Sequence, residues 1–243
     1  MGKSVLHSGA DPMGAAIYDY YKNGKAYKLR VFSSQFDEDE IPVKDLFREF
    51  EDMPYVEKVA LELANGAILD VGAGSGCHSL ALAKMGKSTL AIDISPLAVE
   101  VMKSRGLNAK KINLYDESFV QKFDTILLLM NGSGIIGRLD NMSHFFDRIR
   151  ALLKPDGVLY MDSSDLRYLY EEEDGSFEIN LAGDYYGEID FQMQYKSVKG
   201  GTFDWLYVDF QTLSYYANEN GFSAELVCEG DHYDYLARLK CCR

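Results

Sequence analysis

The hydrophobic pattern changes period several times along the chain, and these changes delimit its elements. Residues 43–65 carry a helical pattern, restarted at Pro54, with Val56, Val59, Ala60 and Leu63 on one face. A short apolar run, 67–71 (AILDV), then reads as a strand. A glycine-rich stretch follows, and beyond it a helical segment through Leu80, Leu82, Ala83 and Met85. Residues 89–94 (TLAIDI) form a second strand. Ser95-Pro96 opens the next helix, since serine caps free N–H groups and proline suits the first helical position. That helix ends near Gly106, before a weak third strand at 109–113. Residues 123–130 (FDTILLLM) are almost wholly apolar, as in a strand buried on both faces of a parallel sheet. A helix with Phe145, Ile149 and Leu152 on one side, the turn Lys154-Pro155-Asp156-Gly157 and a fifth strand at 158–162 (VLYMD) complete the alternation. Strand and helix in turn imply right-handed βαβ units and a doubly wound sheet.

After residue 165 the rhythm breaks. Ile189, Phe191, Met193 and Tyr195 alternate with polar neighbours over 188–195, the pattern of a half-buried strand. Gly200-Gly201 turns it into a partner at 203–208, so 185–208 reads as a hairpin. A helix at 209–220, stopped by Gly221, leads to strands at 222–228 and 233–240. So short a link makes that last pair antiparallel. Residues 1–40 are polar and mixed, with tyrosines at 18, 20, 21 and 27.

Composition narrows the class. The chain has 243 residues, 47% of them hydrophobic, which suffices for a sizeable core. Its formal net charge is −13, and Lys110-Lys111 is its one basic pair of note, so nucleic acid and anionic membrane are not the expected partners. No apolar run reaches the length of a membrane span, and the N-terminal stretch lacks a signal peptide's apolar region. The four cysteines have no metal-ligand spacing, and no metal is expected. These features point to a reduced, cytoplasmic protein.

The chemistry concentrates in Asp70-Val71-Gly72-Ala73-Gly74-Ser75-Gly76. Glycines there permit a sharp turn and close approach of a ligand to the backbone, and the helix that follows presents free N–H groups. The spacing is G-x-G-x-G, and the third glycine of the dinucleotide fingerprint falls on Cys77. The leading carboxylate of Asp70 opposes a pyrophosphate and suits a cationic or amino-bearing ligand.

This loop resembles motif I of the class I S-adenosylmethionine (SAM)-dependent methyltransferases, over residues 66–163 and more weakly over 209–241. The resemblance implies a Rossmann-like α/β fold: a doubly wound, mostly parallel seven-stranded sheet with an antiparallel last strand, here with a β-hairpin insertion. It implies SAM as cofactor, with Gly72, Ala73, Gly74, Gly76 and His78 under its amino acid part and Asp70 leading the loop. Asp93, with Ile94 beside it, is similar to the acid that accepts both ribose hydroxyls. Asn113, Leu114 and Asp116 stand where the family contacts adenine. Met130 and Asn131 stand where sulfonium and acceptor meet. Residues 1–45 and an insertion at 165–208 would cap a methyltransferase domain at 46–243. The family's adenine-methylating signature and the paired-glutamate loop of arginine methyltransferases are absent, and a small-molecule acceptor is expected. His78, His144 and His232 are candidate general bases, none of them assigned. The alternatives are a SAM-binding protein without catalysis and an NAD-dependent oxidoreductase.

Overall fold

The computed structural model describes residues 5–170 and 184–242, so residues 171–183 of the expected insertion lie outside the described residues. In chain order the elements are α1 (Pro12–Asn23), β1 (Leu29–Phe32), β2 (Asp39–Ile41), α2 (Tyr55–Leu63), β3 (Ile68–Val71), α3 (Cys77–Lys84), β4 (Thr89–Asp93), α4 (Pro96–Ser104) and β5 (Ala109–Lys111). They continue as β6 (Phe123–Leu128), α5 (Met142–Leu152), β7 (Leu153–Ser164), β8 (Glu188–Tyr195), β9 (Val198–Lys199), β10 (Phe203–Leu206), α6 (Phe210–Glu219), β11 (Phe222–Glu229) and β12 (Asp234–Cys241).

The seven-stranded sheet has the order β11-β12-β7-β6-β3-β4-β5. Strands β7, β6, β3, β4 and β5 pair in parallel, and β12 runs antiparallel to both β7 and β11. The expected fold class is therefore borne out. The apolar run at 123–128 is buried almost throughout, because both faces of β6 are covered. Met53, Val56, Ala60, Leu61, Ala81 and Leu82 pack on one face. Phe145, Phe146, Ile149, Leu213 and Phe222 pack on the other. Each fully buried phenylalanine contributes about 1.5–3 kcal/mol of burial free energy.

The polar and mixed N-terminal segment, given no elements from its pattern, forms a helix and two strands. Asp11 caps α1 by accepting from the Gly14 N–H at 2.8 Å, Pro12 occupies its first turn, and Gly24 ends it in the left-handed region. Strands β1 and β2 then join β8, β9 and β10 in a second, wholly antiparallel sheet, β10-β8-β1-β2 with β9 beside β8. The N-terminal segment and the hairpin thus build one cap. The helix expected from residue 43 starts only at Tyr55. Residues Val43–Phe47 and Phe50–Asp52 are short 3-10 turns, and Met53, the residue before Pro54, is extended as its proline ring requires. Strand β7 begins at Leu153, not Val158, with an irregular register opposite Phe123–Thr125 where the Lys154–Gly157 turn bulges.

Candidate active site

The carboxyl ends of β6, β3, β4 and β5, parallel neighbours in the sheet, lie side by side at one edge. Past β3 the chain turns through Gly72, Gly74 and Gly76 at φ +69°, +55° and +83°, values that a β-carbon strains. Gly72 and Ala73 donate to the Ile92 carbonyl at 2.9 and 3.1 Å, stitching the loop to β4. Gly74 donates to Asp93 Oδ2 and Ser95 donates to Asp93 Oδ1, both at 2.8 Å. The glycine loop and the acid are therefore one rigid assembly. Each Asp93 oxygen spends one lone pair on a backbone N–H and keeps another. Burial pushes Asp93 up to about 6, opposed by the two N–H donors and reinforced by the like charges of Asp11 and Asp70.

Asp70 itself is not exposed at this edge of the sheet. It is 1% exposed and accepts from the Ser79 hydroxyl at 2.6 Å, beneath the loop. His78 is buried as well, its Nε2 2.8 Å from Glu57 Oε2, and Arg48 pairs with the other Glu57 oxygen. Burial works against both charges of the His78–Glu57 pair, yet their mutual contact wins: His78 moves up and Glu57 down from their ordinary values. Held against Glu57, His78 is a foundation for α3, not a free base. Cys77, pushed up to about 12 by burial, is an inert thiol that fills space. Arg48 Nε is buried without a hydrogen-bond partner among the described residues, although Cys77 at the α3 N-terminus is near enough to feel its charge.

At the end of β4, Ile94 is partly exposed and its carbonyl accepts from the Leu6 N–H at 3.0 Å. Ile112 donates to the Asp93 carbonyl, bringing the β5 end alongside. Asn113 Oδ1 accepts from the Tyr115 N–H at 2.9 Å, a local turn contact, while Leu114 is buried. Arg148, 6% exposed on α5, donates to the carbonyls of Leu114, Asp116 and Phe119 and fixes this loop.

Past β6, Met130 and Asn131 both lie in the left-handed region, at φ +67° and +54°. Non-glycine residues pay about 1 kcal/mol or more for that geometry, so the surroundings must enforce it. Asp162 at the end of β7 does so: its carboxylate accepts from the Met130 N–H at 3.1 Å and the Gly132 N–H at 2.9 Å. Burial pushes Asp162 up to about 6. Asn131 accepts from the Ser164 hydroxyl at 2.8 Å. The cap closes over this turn. A β-carbon on Gly134 would fall 1.8 Å from Trp205 Cε2, so the indole lies directly on the backbone. Ser133 donates to the Leu206 carbonyl at 2.8 Å. Phe203, Trp205 and, across the strands, Phe191 share the face of the cap that meets the turn, all half-buried.

Of the residues singled out in the sequence, the structure gathers the loop, Asp93, Ile94, Asn113, Leu114, Met130 and Asn131 on one rim. His232 lies far along that rim, exposed in the turn between β11 and β12, and His144 is exposed on α5, stacked on Tyr115 at 5.0 Å. Sequence reasoning passed over Asp11, Arg48, Glu57, Arg148 and Asp162. Asp11-Pro12 and the acid closing VLYMD were readable signals; Arg48, Glu57 and Arg148 act through tertiary contacts that leave none.

A family model described as a methyltransferase domain matches residues 69–159. The ubiquinone biosynthesis O-methyltransferase of Histophilus somni is 31% identical over 121 residues, 46% of this chain and 50% of that protein. The chain thus spans about half the length of the curated relatives it matches. The sugar N-methyltransferase KedS8 from Streptoalloteichus, 14% identical with a TM-score of 0.55 over 83% of this chain and 90% of its own, shares the fold. A SAM-dependent methyltransferase from Bacteroides fragilis, solved in complex with S-adenosyl-L-homocysteine, is 65% identical over 99% of this chain and 98% of its own, with a TM-score of 0.94. On that likeness, spanning cap and sheet alike, the chain belongs to the SAM-dependent methyltransferases.

Proposed function

We propose that this protein binds SAM across the carboxyl ends of β6, β3, β4 and β5 and transfers its methyl group to a small molecule admitted beneath the cap. The observation that carries the reading is the joint fixing of the glycine loop and Asp93 by the Gly74 and Ser95 N–H groups. Two features fit the cofactor. Asp93 keeps a lone pair on each oxygen for a pair of ribose hydroxyls. Arg48 Nε, an orphaned donor, would be satisfied by the carboxylate at the amino acid end; an unmet buried donor costs about 1–3 kcal/mol.

SAM, when bound, supplies the activated methyl group and its leaving group. The chain's part is alignment. Gly72–Gly76 would underlie the amino acid portion, Asn113 and Leu114 the adenine, and the Met130–Asn131 turn the site where donor and acceptor meet. Holding two reactants in line can supply several kcal/mol of the barrier. Phe191, Phe203 and Trp205 would wall the acceptor's side and exclude water. The acid excess and the unpaired cysteines favour a small-molecule acceptor and a cytoplasmic setting.

S-adenosylhomocysteine at about 100 times its dissociation constant is expected to raise the melting temperature by about 5–10 °C. NADH is expected to do nothing, and Asp93→Ala to abolish the shift. A full shift in that variant would remove Asp93 from the site. No shift in the native protein would sink the proposal.

A further inference from the structure

We propose that Asp11 is a positioning residue for the cofactor cleft: through Ser95 it fixes the N–H that holds Asp93. This role rests on the methyl-donor reading above. Asp11 is fully buried, 82 residues before Asp93 in sequence, and it links two helix N-termini. Its Oδ1 accepts from the Gly14 N–H at 2.8 Å, which caps α1. Its Oδ2 accepts from the Ser95 hydroxyl at 2.6 Å. The Ser95 oxygen in turn accepts from the Ala98 N–H at 2.9 Å and caps α4, and the Ser95 N–H donates to Asp93 Oδ1.

Capping α1 requires only one oxygen of Asp11. The second oxygen and the complete burial exceed what the cap needs, and a buried carboxylate is costly unless its donors are in place. The molecule is shaped to keep that contact. A β-carbon on Gly14 would lie 2.2 Å from both Asp11 Oδ2 and Ser95 Oγ, so α1 can come this close only without a side chain there. Ala16 and Ala98, both fully buried in the same cluster, let α1 and α4 approach. Asp11 accepts the Ser95 hydroxyl proton and so ties Ser95 to α1 as well as to α4, anchoring the residue whose backbone N–H reaches Asp93. The Leu6–Ile94 hydrogen bond closes the same strap over the end of β4.

The test is calorimetric titration of S-adenosylhomocysteine into the native protein, Asp11→Asn, Ser95→Ala and the double variant, with the unliganded melting temperature of each. The Asp11→Asn change keeps an oxygen for Gly14 but sets an amide against the Ser95 hydroxyl, so α1 stays capped. Ser95→Ala keeps the Asp11–Gly14 cap of α1 while removing the donor to Asp11 Oδ2 and the cap of α4, and is the arm that decides should Asp11→Asn not fold. Each single variant is expected to weaken binding about tenfold, and the double variant no more than either single, because both break one relay. Melting temperatures should track binding poorly. Native affinity in a folded single variant, or losses that add in the double, overturns the role of Asp11 while leaving the donor reading intact. Absence of binding by the native protein overturns both.

Discussion

Among single residues, Asp93 carries the clearest consequence for pH. Its carboxylate sits at about 6, raised first by burial and then by its acidic neighbours. Above that value both oxygens accept; below it one carries a proton and its acceptor is lost. Affinity for S-adenosylhomocysteine is therefore expected to be level from pH 7 to 8 and to fall as the pH drops through about 6, approaching tenfold per unit in the acid limb. Titrations across that range check it, and a flat profile to about pH 5 would mean that Asp93 accepts nothing from the ligand. Asp93 was legible in the sequence because its place depends on local order: a strand, its last residue, and a Ser-Pro helix start. Asp11 was readable only as a helix cap before Pro12; its link to the site was not, because its partner Ser95 lies 84 positions away and only the packing of α1 on α4 brings them together. Asp70 was legible as part of the motif but not in its orientation, since which face of β3 it occupies depends on the helix that covers it.

Among the elements, what was readable followed periodicity and what was missed followed pairing. Strand β8 announced itself by eight residues of alternation and α6 by a capped helical face. Strand β1, four residues long, carries too little pattern of its own and exists because β8 offers it an edge, Leu29 opposite Tyr195. The contact between cap and sheet is likewise tertiary, an indole on a bare glycine. Gly134→Val should therefore push Trp205 off the turn, because there is no room for any side chain. Destabilisation of about 1–3 kcal/mol is expected from such overpacking. Trp205 is the chain's one tryptophan, so its fluorescence reports the displacement directly. A red-shifted emission with S-adenosylhomocysteine binding largely kept would show that the cap belongs to the acceptor side. An unchanged emission maximum would show that the contact is dispensable.

For the molecule as a whole, the two sheets differ in how they are held. Strand β3 is buried along its whole length and lies between parallel neighbours, while β2 is largely exposed and forms an edge of the cap. Pairing β1 with β8 closes a loop of well over a hundred residues, an entropic cost repaid only once the seven-stranded sheet is in place. Local stability should follow that division, since opening free energy tracks buried contacts. Native-state hydrogen exchange is expected to show the amides of β1, β2 and β8 opening well before those of β3, β6 and β7. Bound S-adenosylhomocysteine should add protection first at residues 72–76 and 93–95 and along the strap at 5–11, where loop, acid and Asp11 form one connected unit. The cap would gain less if, as proposed, it meets the acceptor and not the donor. Uniform exchange across both sheets would instead make cap and sheet a single cooperative body, and access for an acceptor would then require an opening other than release of the cap.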